Sequence, residues 1–377
     1  MINGLRIKQA RELCKLTQSQ LAHKVGVAQS TIAKMEVNVR DWPDEVIEAI
    51  ALQTGFPVAF FHQGMGPEFS MGSLLFRCRA SLSVADKTHI RQFGLLIFEL
   101  EEKLAARTRP IELHLPSFQG ENPIDAARVT RATLGVPPDT PIPHVINRLE
   151  RNGVFVFALP NPSEKFDAFS LWSDNDPRRP VIMVNSLKPA DRLRLSVAHE
   201  IGHLVLHKSP RGGLADLEKE AYAFAREFLL PGEAMKREIR PPVTLTTLAP
   251  LKPRWGVSLQ ALIRCSYELE IVSEGQYRYL SEQISKLGWR RREPENLDIP
   301  IEKPRLLRKL AEMTTGIPAN AKRIASFVCA NVGLIEDVLA AHASKNDLPA
   351  SEKNQISEAI EDSAVDQPTK LLQFKRN

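Results

Sequence analysis

The stretch SVAHEIGHLVLHK, Ser196–Lys208, holds two histidines four residues apart, with a glutamate directly after the first. It lies inside a longer helical pattern, residues 190–230, which Pro231 ends. Residues four apart lie on one face of a helix, one turn above the other. The stretch therefore predicts a helix that presents the rings of His199 and His203 on the same side.

An imidazole pair of this kind suits a zinc ion, since two ring nitrogens can coordinate one Zn²⁺ at about 2.0–2.1 Å. Glu200 is rotated about 100° from His199 around the helix, so it need not be a ligand. Its carboxylate is placed to take a proton from water and to pass it to a leaving amine. The pattern predicts His199 and His203 as metal ligands, Glu200 as the catalytic base and Zn²⁺ as the cofactor.

A catalytic zinc also needs a third protein ligand and an open fourth position. The metzincin pattern would place a histidine at position 209, where this sequence has Ser209. His207 follows the pair on the same side of the helix, and we interpret it as a packed or supporting histidine rather than a ligand. The third ligand must therefore come from elsewhere in the chain.

The stretch EKEAYAFAREFLLP, residues 218–231, supplies a candidate, because its alanines and phenylalanines recur at helical spacing and form an apolar stripe. Glu218 lies near this stripe, whereas Glu220 and Glu227 are expected to point elsewhere. A carboxylate on a buried stripe is costly unless something compensates its charge, and a metal would do so. We therefore predict Glu218 as the third ligand.

The N-terminal stretch LTQSQLAHKVGVAQSTIAKME, Leu16–Glu36, has the spacing of a helix-turn-helix. Thr17 is the predicted N-cap of a first helix, with Gln20 at the capping-box position. Gly26 supplies the positive φ of the turn that follows. The second helix directs its apolar residues inward and a polar set outward, as a recognition helix does in the major groove of DNA.

We expect double-stranded operator DNA to be contacted by Gln18, which faces a phosphate, and by four outward residues of the second helix: Gln29, Ser30, Thr31 and Lys34. Residues 1–40 contain seven basic and two acidic residues, an excess equal to the net charge of +5 of the whole chain. This basic segment favours phosphates. A small helical bundle used only for dimerisation is the alternative.

The remaining pattern predicts a mainly α fold with a small β-sheet (α+β). Two β-rich runs, GVFVFAL (153–159) and PVIMVNSL (180–187), are the predicted strands. The strand over 180–187 precedes the histidine helix, and we expect its edge to hold an extended substrate by β-addition. We predict four segments. They are a helix-turn-helix domain (1–66), a helical linker (67–120), a zincin-like metal domain (121–295), and a helical module with a weakly ordered tail from Ala343 (296–377).

Composition limits the classes of protein. The 377 residues are 43% hydrophobic and 25% charged, which is typical of two or three globular domains. The four cysteines form no CxxC pair, which favours a reducing compartment and argues against a cysteine zinc site. The N-terminus lacks the pattern of a secretory signal, and the apolar runs are too short to span a bilayer. We expect a cytoplasmic protein that does not enter a membrane.

Two family resemblances add to these patterns. Leu16–Glu36 resembles the Cro/C1-type (XRE-like) repressors in its pattern LTQxxLAxxxGVxxSTIxxxE, and this likeness covers about 60 residues. It implies a homodimer that binds inverted repeats.

The segment from Asp167 to Pro231 resembles the ImmA/IrrE metallopeptidases, whose pattern runs HExGHxxLH and then ExxAxxFAxxLLxP. It implies His199, His203 and Glu218 as zinc ligands, Glu200 as general base, and a partner repressor as the protein that is cut. Tyr222 departs from the asparagine common in that family, but it lies outside the ligand set.

The leading hypothesis is a DNA-binding transcriptional regulator whose zinc domain cleaves a partner regulator. The alternative is a transcription factor whose metal domain is a sensor or scaffold without turnover. A third interpretation, an antitoxin-like binding module, follows only from analogy of fold.

Overall fold

The computed structural model of the protein describes residues 1–37, 39–66, 83–108, 111–118, 121–160, 162–173, 179–208 and 213–342. The tail from Ala343 and residues 67–82 of the predicted linker lie outside these residues. In the described chain, helices predominate, and short strands form a two-stranded and a three-stranded sheet. The predicted fold class, mainly α with a small β-sheet, is confirmed.

The N-terminal part is a compact set of short helices. Their bounds are α1 (Gly4–Leu13), α2 (Gln18–Val25), α3 (Gln29–Val37), α4 (Asp44–Thr54) and α5 (Val58–Phe61), with the antiparallel strands β1 (Ile2–Asn3) and β2 (Val39–Arg40) beside them. The predicted capping box is confirmed, since Thr17 and Gln20 each bond to the other's backbone. Gly26 ends α2 with φ at 72°, as the turn between α2 and α3 requires.

One long helix, α6 (Val84–Ala105), links this N-terminal part to the rest of the chain. Arg6 of α1 donates to the Glu99 carboxylate at 2.9 Å, and Arg179 forms a two-pronged pair with Glu101 at 2.7 and 2.8 Å. Glu101 is 1% exposed, so this second pair is buried. The helix is therefore fixed on both sides and is a structural support rather than a free linker.

The three-stranded sheet consists of β3 (Phe155–Ala158), β4 (Ala168–Trp172) and β5 (Pro180–Val184), in the order β3-β5-β4. Two of these strands were predicted, and β4 was not. Strand β5 pairs in parallel with β3 and antiparallel with β4. The expectation that β5 offers an edge to a substrate is wrong, because both of its edges are already paired inside the sheet.

The sheet separates two hydrophobic cores, since successive side chains of a strand point to opposite faces. One face, with Phe155, Phe157 and Met183, packs into the core that contains the N-terminal helices, α6 and the C-terminal helices. The other face, with Val156 and Ile182, packs into a second core, which contains the helix with His199 and His203. The strands are buried on both faces, which explains their continuous apolar runs.

The second core is built from the helices α7 (Pro123–Thr133), α8 (Val145–Arg151), α9 (Ala190–Leu206), α10 (Leu214–Leu229), α11 (Gly232–Glu238), α12 (Leu245–Leu248), α13 (Leu251–Trp255), α14 (Leu259–Glu268) and α15 (Glu274–Lys286). The helical pattern over 190–230 thus forms two helices, α9 and α10, and the second ends before Pro231 as predicted.

The C-terminal helices are α16 (Leu306–Thr315), α17 (Ala321–Val328) and α18 (Val332–Ala341). The buried carboxylate of Glu150 accepts hydrogen bonds from the backbone of Arg305 and Leu306, and so caps α16. Among the described residues, no single helix is long and apolar enough to cross a membrane; α17 and α18 pass such a test only together, with a bend of 119° between them.

Candidate functional site

His199 and His203 of α9 and Glu218 of α10 lie together. The two Nε2 atoms are 3.1 Å apart, and they lie 3.2 and 3.3 Å from the two oxygens of Glu218. Among the described residues this is the one group of three or more such side chains close enough to hold a metal ion, with donor atoms within 4.8 Å of one another. The structure thus brings the three predicted metal ligands together.

The donor set fits a zinc ion. Two imidazole nitrogens and a carboxylate are ligands that zinc prefers, and a catalytic zinc uses three protein ligands with one position open. His203 is buried, whereas the side chains of His199 and Glu218 are 22% and 46% exposed, which leaves the group accessible from one side. Two ring nitrogens 3.1 Å apart share at most one proton, and with the carboxylate they converge as the ligands of one cation would.

The charge of Glu218 suits the same role. The rings of His199 and then His203, whose Nε2 atoms lie beside its two oxygens, hold the pKa of its carboxyl far below the usual range. The side chain is therefore an anion, the form in which a carboxylate binds a metal.

The burial argument that led to Glu218 is only partly right. Glu218 lies at the margin of the apolar stripe of α10 and is half exposed. Glu227, expected to point elsewhere, is 2% exposed and pairs with Arg128 of α7 and with Arg226. The sequence of α10 alone does not reveal that α7 covers this second side of the helix.

Glu200 points toward the sheet. Its Oε2 accepts a 2.6 Å hydrogen bond from the hydroxyl of Ser170 on β4, and both side chains are buried. Sequence reasoning missed Ser170, because β4 was not predicted and the contact spans 30 positions.

His207 stands behind His203. The Nδ1 atoms of the two rings are 2.9 Å apart, and Nε2 of His207 is 2.9 Å from Oε2 of Glu220. His207 lies outside the group of three and is 3% exposed, in agreement with its interpretation as a supporting residue. Glu220, expected to point elsewhere, is therefore in contact with the supporting histidine.

Gly202 allows α9 and α10 to approach closely. A Cβ atom at this position would lie 3.1 Å from the Cα and carbonyl oxygen of Ala221, which follows Glu218 by three residues. The absence of a side chain at Gly202 thus sets the distance between the histidine helix and the carboxylate helix.

A cavity of about 610 Å³ lies near the group of three, although none of the three lines it. Its lining includes Leu195 and Tyr222, which are one helical turn from His199 and Glu218 respectively. Its cationic lining residues are Lys188, Arg192, Lys252, Arg290, Arg291 and Arg292. The volume lies within the range of about 300–1,000 Å³ that ligand sites have.

The predicted DNA contacts lie at the surface of the N-terminal part. Gln29, Ser30 and Lys34 are exposed, and Thr31 and Gln18 are half-buried. The amide of Gln18 donates to Glu36 at 2.8 Å and accepts from Gln29 at 2.8 Å. Gln18 therefore also fixes the start of α3, the helix that carries the outward polar set.

Comparison with protein families gives two matches. Residues 149–266 match the model of the IrrE N-terminal-like domain of the peptidase family M78, and residues 7–61 match a helix-turn-helix model. No curated protein matches the chain. The chain thus joins an XRE-type helix-turn-helix domain to an ImmA/IrrE-like domain. The first suggests DNA-binding regulation, and the second suggests a metallopeptidase-like domain and a metal.

Proposed function

We propose that this chain, which joins a helix-turn-helix domain to an IrrE-like domain, is a DNA-binding regulator with a zinc metallopeptidase that cleaves a partner regulator. The observation that carries the proposal is the convergence of His199, His203 and Glu218, with Glu200 next to the first histidine on the same helix. A purely structural zinc would need no such base and would have a fourth protein ligand.

Each residue of the site has a proposed task. His199, His203 and Glu218 hold the zinc, whose Lewis acidity lowers the pKa of water and polarises a carbonyl group when the ion is bound. Glu200 takes a proton from the attacking water and passes it to the leaving amine. Ser170, through its hydrogen bond, orients the Glu200 carboxylate for both transfers.

The accessible side of the site supports a polypeptide as substrate. His199 and Glu218 are partly exposed, and Leu195 of α9 and Tyr222 of α10 line a cavity one helical turn from them. We propose that a segment of a partner protein lies in this cavity and continues over that one helical turn to the zinc ligands. The lining holds six cationic and three acidic side chains, and this excess favours an acidic segment, although Lys188, Arg192, Lys252 and Arg292 already pair with carboxylates of the chain.

For the N-terminal domain we propose that a homodimer binds an operator through the outward face of α3. The exposure of Gln29, Ser30 and Lys34 supports this, since base edges in the major groove are read by such side chains. We propose that the chain consists of a helix-turn-helix domain (1–66), a helical linker (67–120), a metallopeptidase domain (121–295) and a helical C-terminal module (296–377).

A second candidate function, a metal-dependent sensor without turnover, is favoured by one observation. Helix α6 pairs with α1 through Arg6 and Glu99, and with the residue before β5 through Arg179 and Glu101. A change in the metal domain therefore has a direct route to the DNA-reading helices.

The variant Glu200→Gln separates the two candidates. It retains the ligands, so zinc content and DNA binding should equal those of the wild type, and the metal-free variant His199→Ala serves as control. Under the peptidase proposal, comparison of new protein N-termini in wild-type and Glu200→Gln cells identifies one cleaved regulator, and target genes lose their response in the variant. Unchanged regulation in Glu200→Gln cells rejects the peptidase and supports the sensor.

A further inference from the structure

Three side chains form a hydrogen-bonded series that leads from the protein surface to the site. Glu220 is half exposed, and its Oε2 lies 2.9 Å from Nε2 of His207. The Nδ1 of His207 lies 2.9 Å from Nδ1 of His203. The other nitrogen of His203, Nε2, faces His199 and Glu218.

The positions of the protons in this series can be assigned from Glu220, the residue at its surface end. A carboxylate only accepts hydrogen bonds, so Nε2 of His207 carries a proton and donates it to Glu220. A neutral imidazole has one donor and one acceptor nitrogen, so Nδ1 of His207 accepts. For neutral rings, Nδ1 of His203 is then the donor, which leaves its Nε2 without a proton. The carboxylate of Glu218, 3.3 Å from that Nε2, favours the opposite tautomer, so the outer pair has to outweigh it.

We propose that Glu220 and His207 are positioning residues that fix the tautomer and the ring orientation of His203, so that its Nε2 lone pair faces the metal. The inference rests on the proposed metal-binding function and adds two residues to it. Metal-ligating histidines commonly donate their second N–H to a carboxylate, a backbone carbonyl or water, and removal of that partner typically costs about 10- to 100-fold in metal affinity. In this chain, a histidine held by a carboxylate takes the place of that partner.

Because both rings are buried, the carboxylate of Glu220 determines which tautomer the two histidines adopt. His203 and His207 are each 3% exposed, so solvent has little access with which to replace a lost partner. Without Glu220, the reverse arrangement is open to the pair, with His207 donating from Nδ1 and His203 carrying its proton on Nε2. That proton would point at Glu218 and would have to be displaced by the metal.

The test is zinc affinity, measured by competition with a chelating dye on the full-length protein. Glu220→Ala should bind zinc about 10- to 100-fold more weakly than the wild type. Glu220→Gln keeps one acceptor oxygen and should lose less. The matched control Asp216→Ala removes an exposed carboxylate from the same helix, four residues earlier, and should keep wild-type affinity.

A second readout needs no metal. The ¹⁵N chemical shifts of the histidine rings in metal-free protein should show His203 protonated on Nδ1 in the wild type, and a mixture of the two tautomers in Glu220→Ala. Equal zinc affinity of Glu220→Ala and Asp216→Ala, or a proton on Nε2 of His203 in the wild type, overturns the inference and leaves the proposed metal site intact. A folded wild type that binds no zinc rejects the metal site, and this inference with it.

Discussion

The hydroxyl of Ser170 donates a 2.6 Å hydrogen bond to Oε2 of Glu200 and so connects the edge strand β4 to the helix that carries both histidines. Both residues are buried, and the same hydroxyl lies 3.3 Å from the backbone oxygen of Glu200. The proposed base is therefore held by a residue from a different element, 30 positions away in the chain.

Replacement of Ser170 should reduce turnover without loss of the metal. A hydrogen bond to a charged group contributes about 1.5–3 kcal/mol, so we expect Ser170→Ala to lower the rate of substrate cleavage by roughly 10- to 100-fold. The measurement is the single-turnover rate on the regulator found by the Glu200→Gln comparison, with zinc content checked in parallel. Ser170→Thr keeps the hydroxyl and is the control; a wild-type rate in Ser170→Ala would contradict the positioning role.

Gly202→Ala should weaken zinc binding through the backbone. The added methyl group meets the backbone of Ala221 at 3.1 Å, so α10 has to move and takes Glu218 with it. Overpacking of this kind costs about 1–3 kcal/mol of folding stability. We expect a lower melting temperature and about tenfold weaker zinc binding. The control is Gly275→Ala, where the nearest atom is 4.0 Å from the added Cβ; equal effects of the two variants would show that the approach at Gly202 is not limiting.

A negative charge on the outward face of α3 should impair DNA binding. Thr31→Glu puts a carboxylate next to the phosphates and base edges, and we expect roughly 10- to 100-fold weaker binding to DNA from upstream of its own gene. The measurement is fluorescence anisotropy at fixed salt. Gln53→Glu makes the same charge change on the exposed surface of α4 and should have a much smaller effect. Equal losses would mean that net charge, and not the face of α3, determines binding.

His342 should make the folded state sensitive to acid. Its Nδ1 donates to the Val338 carbonyl at 2.7 Å, and its Nε2 accepts from the Ala158 backbone, so the ring is neutral. Burial lowers its pKa to about 4. The unfolded chain takes up this proton below about pH 6.5, and the folded protein does so only near pH 4. Stability is therefore lost as the pH falls through this window, by up to about 3 kcal/mol.

Urea unfolding at a series of pH values from 4 to 7 measures this effect. The variant His342→Gln should show a flatter dependence of the unfolding free energy on pH than the wild type. The other titratable groups contribute equally to the pH dependence of both proteins, so the difference between the two curves gives the contribution of His342. Parallel curves would show that His342 is not responsible.

Sequence patterns predicted the features whose interactions join residues close together in the chain. The capping box at Thr17, the turn at Gly26 and the imidazole pair on α9 each depend on residues within a few positions of one another. Glu218 was predicted partly from the apolar stripe of its helix and partly by resemblance, and the structure brings it to the histidines.

Contacts between distant segments were not predictable in the same way. Strand β4 carries Ser170, but its pairing with β5 depends on the whole sheet. The pattern of β5 gives no sign that it is the central strand rather than an edge. The pairing of Glu220 with His207 required the distance between α9 and α10, which is set by the close approach at Gly202.

Because the sheet packs against two hydrophobic cores, the helix-turn-helix domain cannot be exchanged between such proteins without regard to the rest of the chain. In this chain, the aromatic side chains of β3 pack in the same hydrophobic cluster as α6 and the N-terminal helices. A chimaera that replaced only the first 66 residues would have to match the surface of α6. A fragment that holds the IrrE-like domain but lacks α6 would expose Phe155 and Phe157 to solvent and should aggregate.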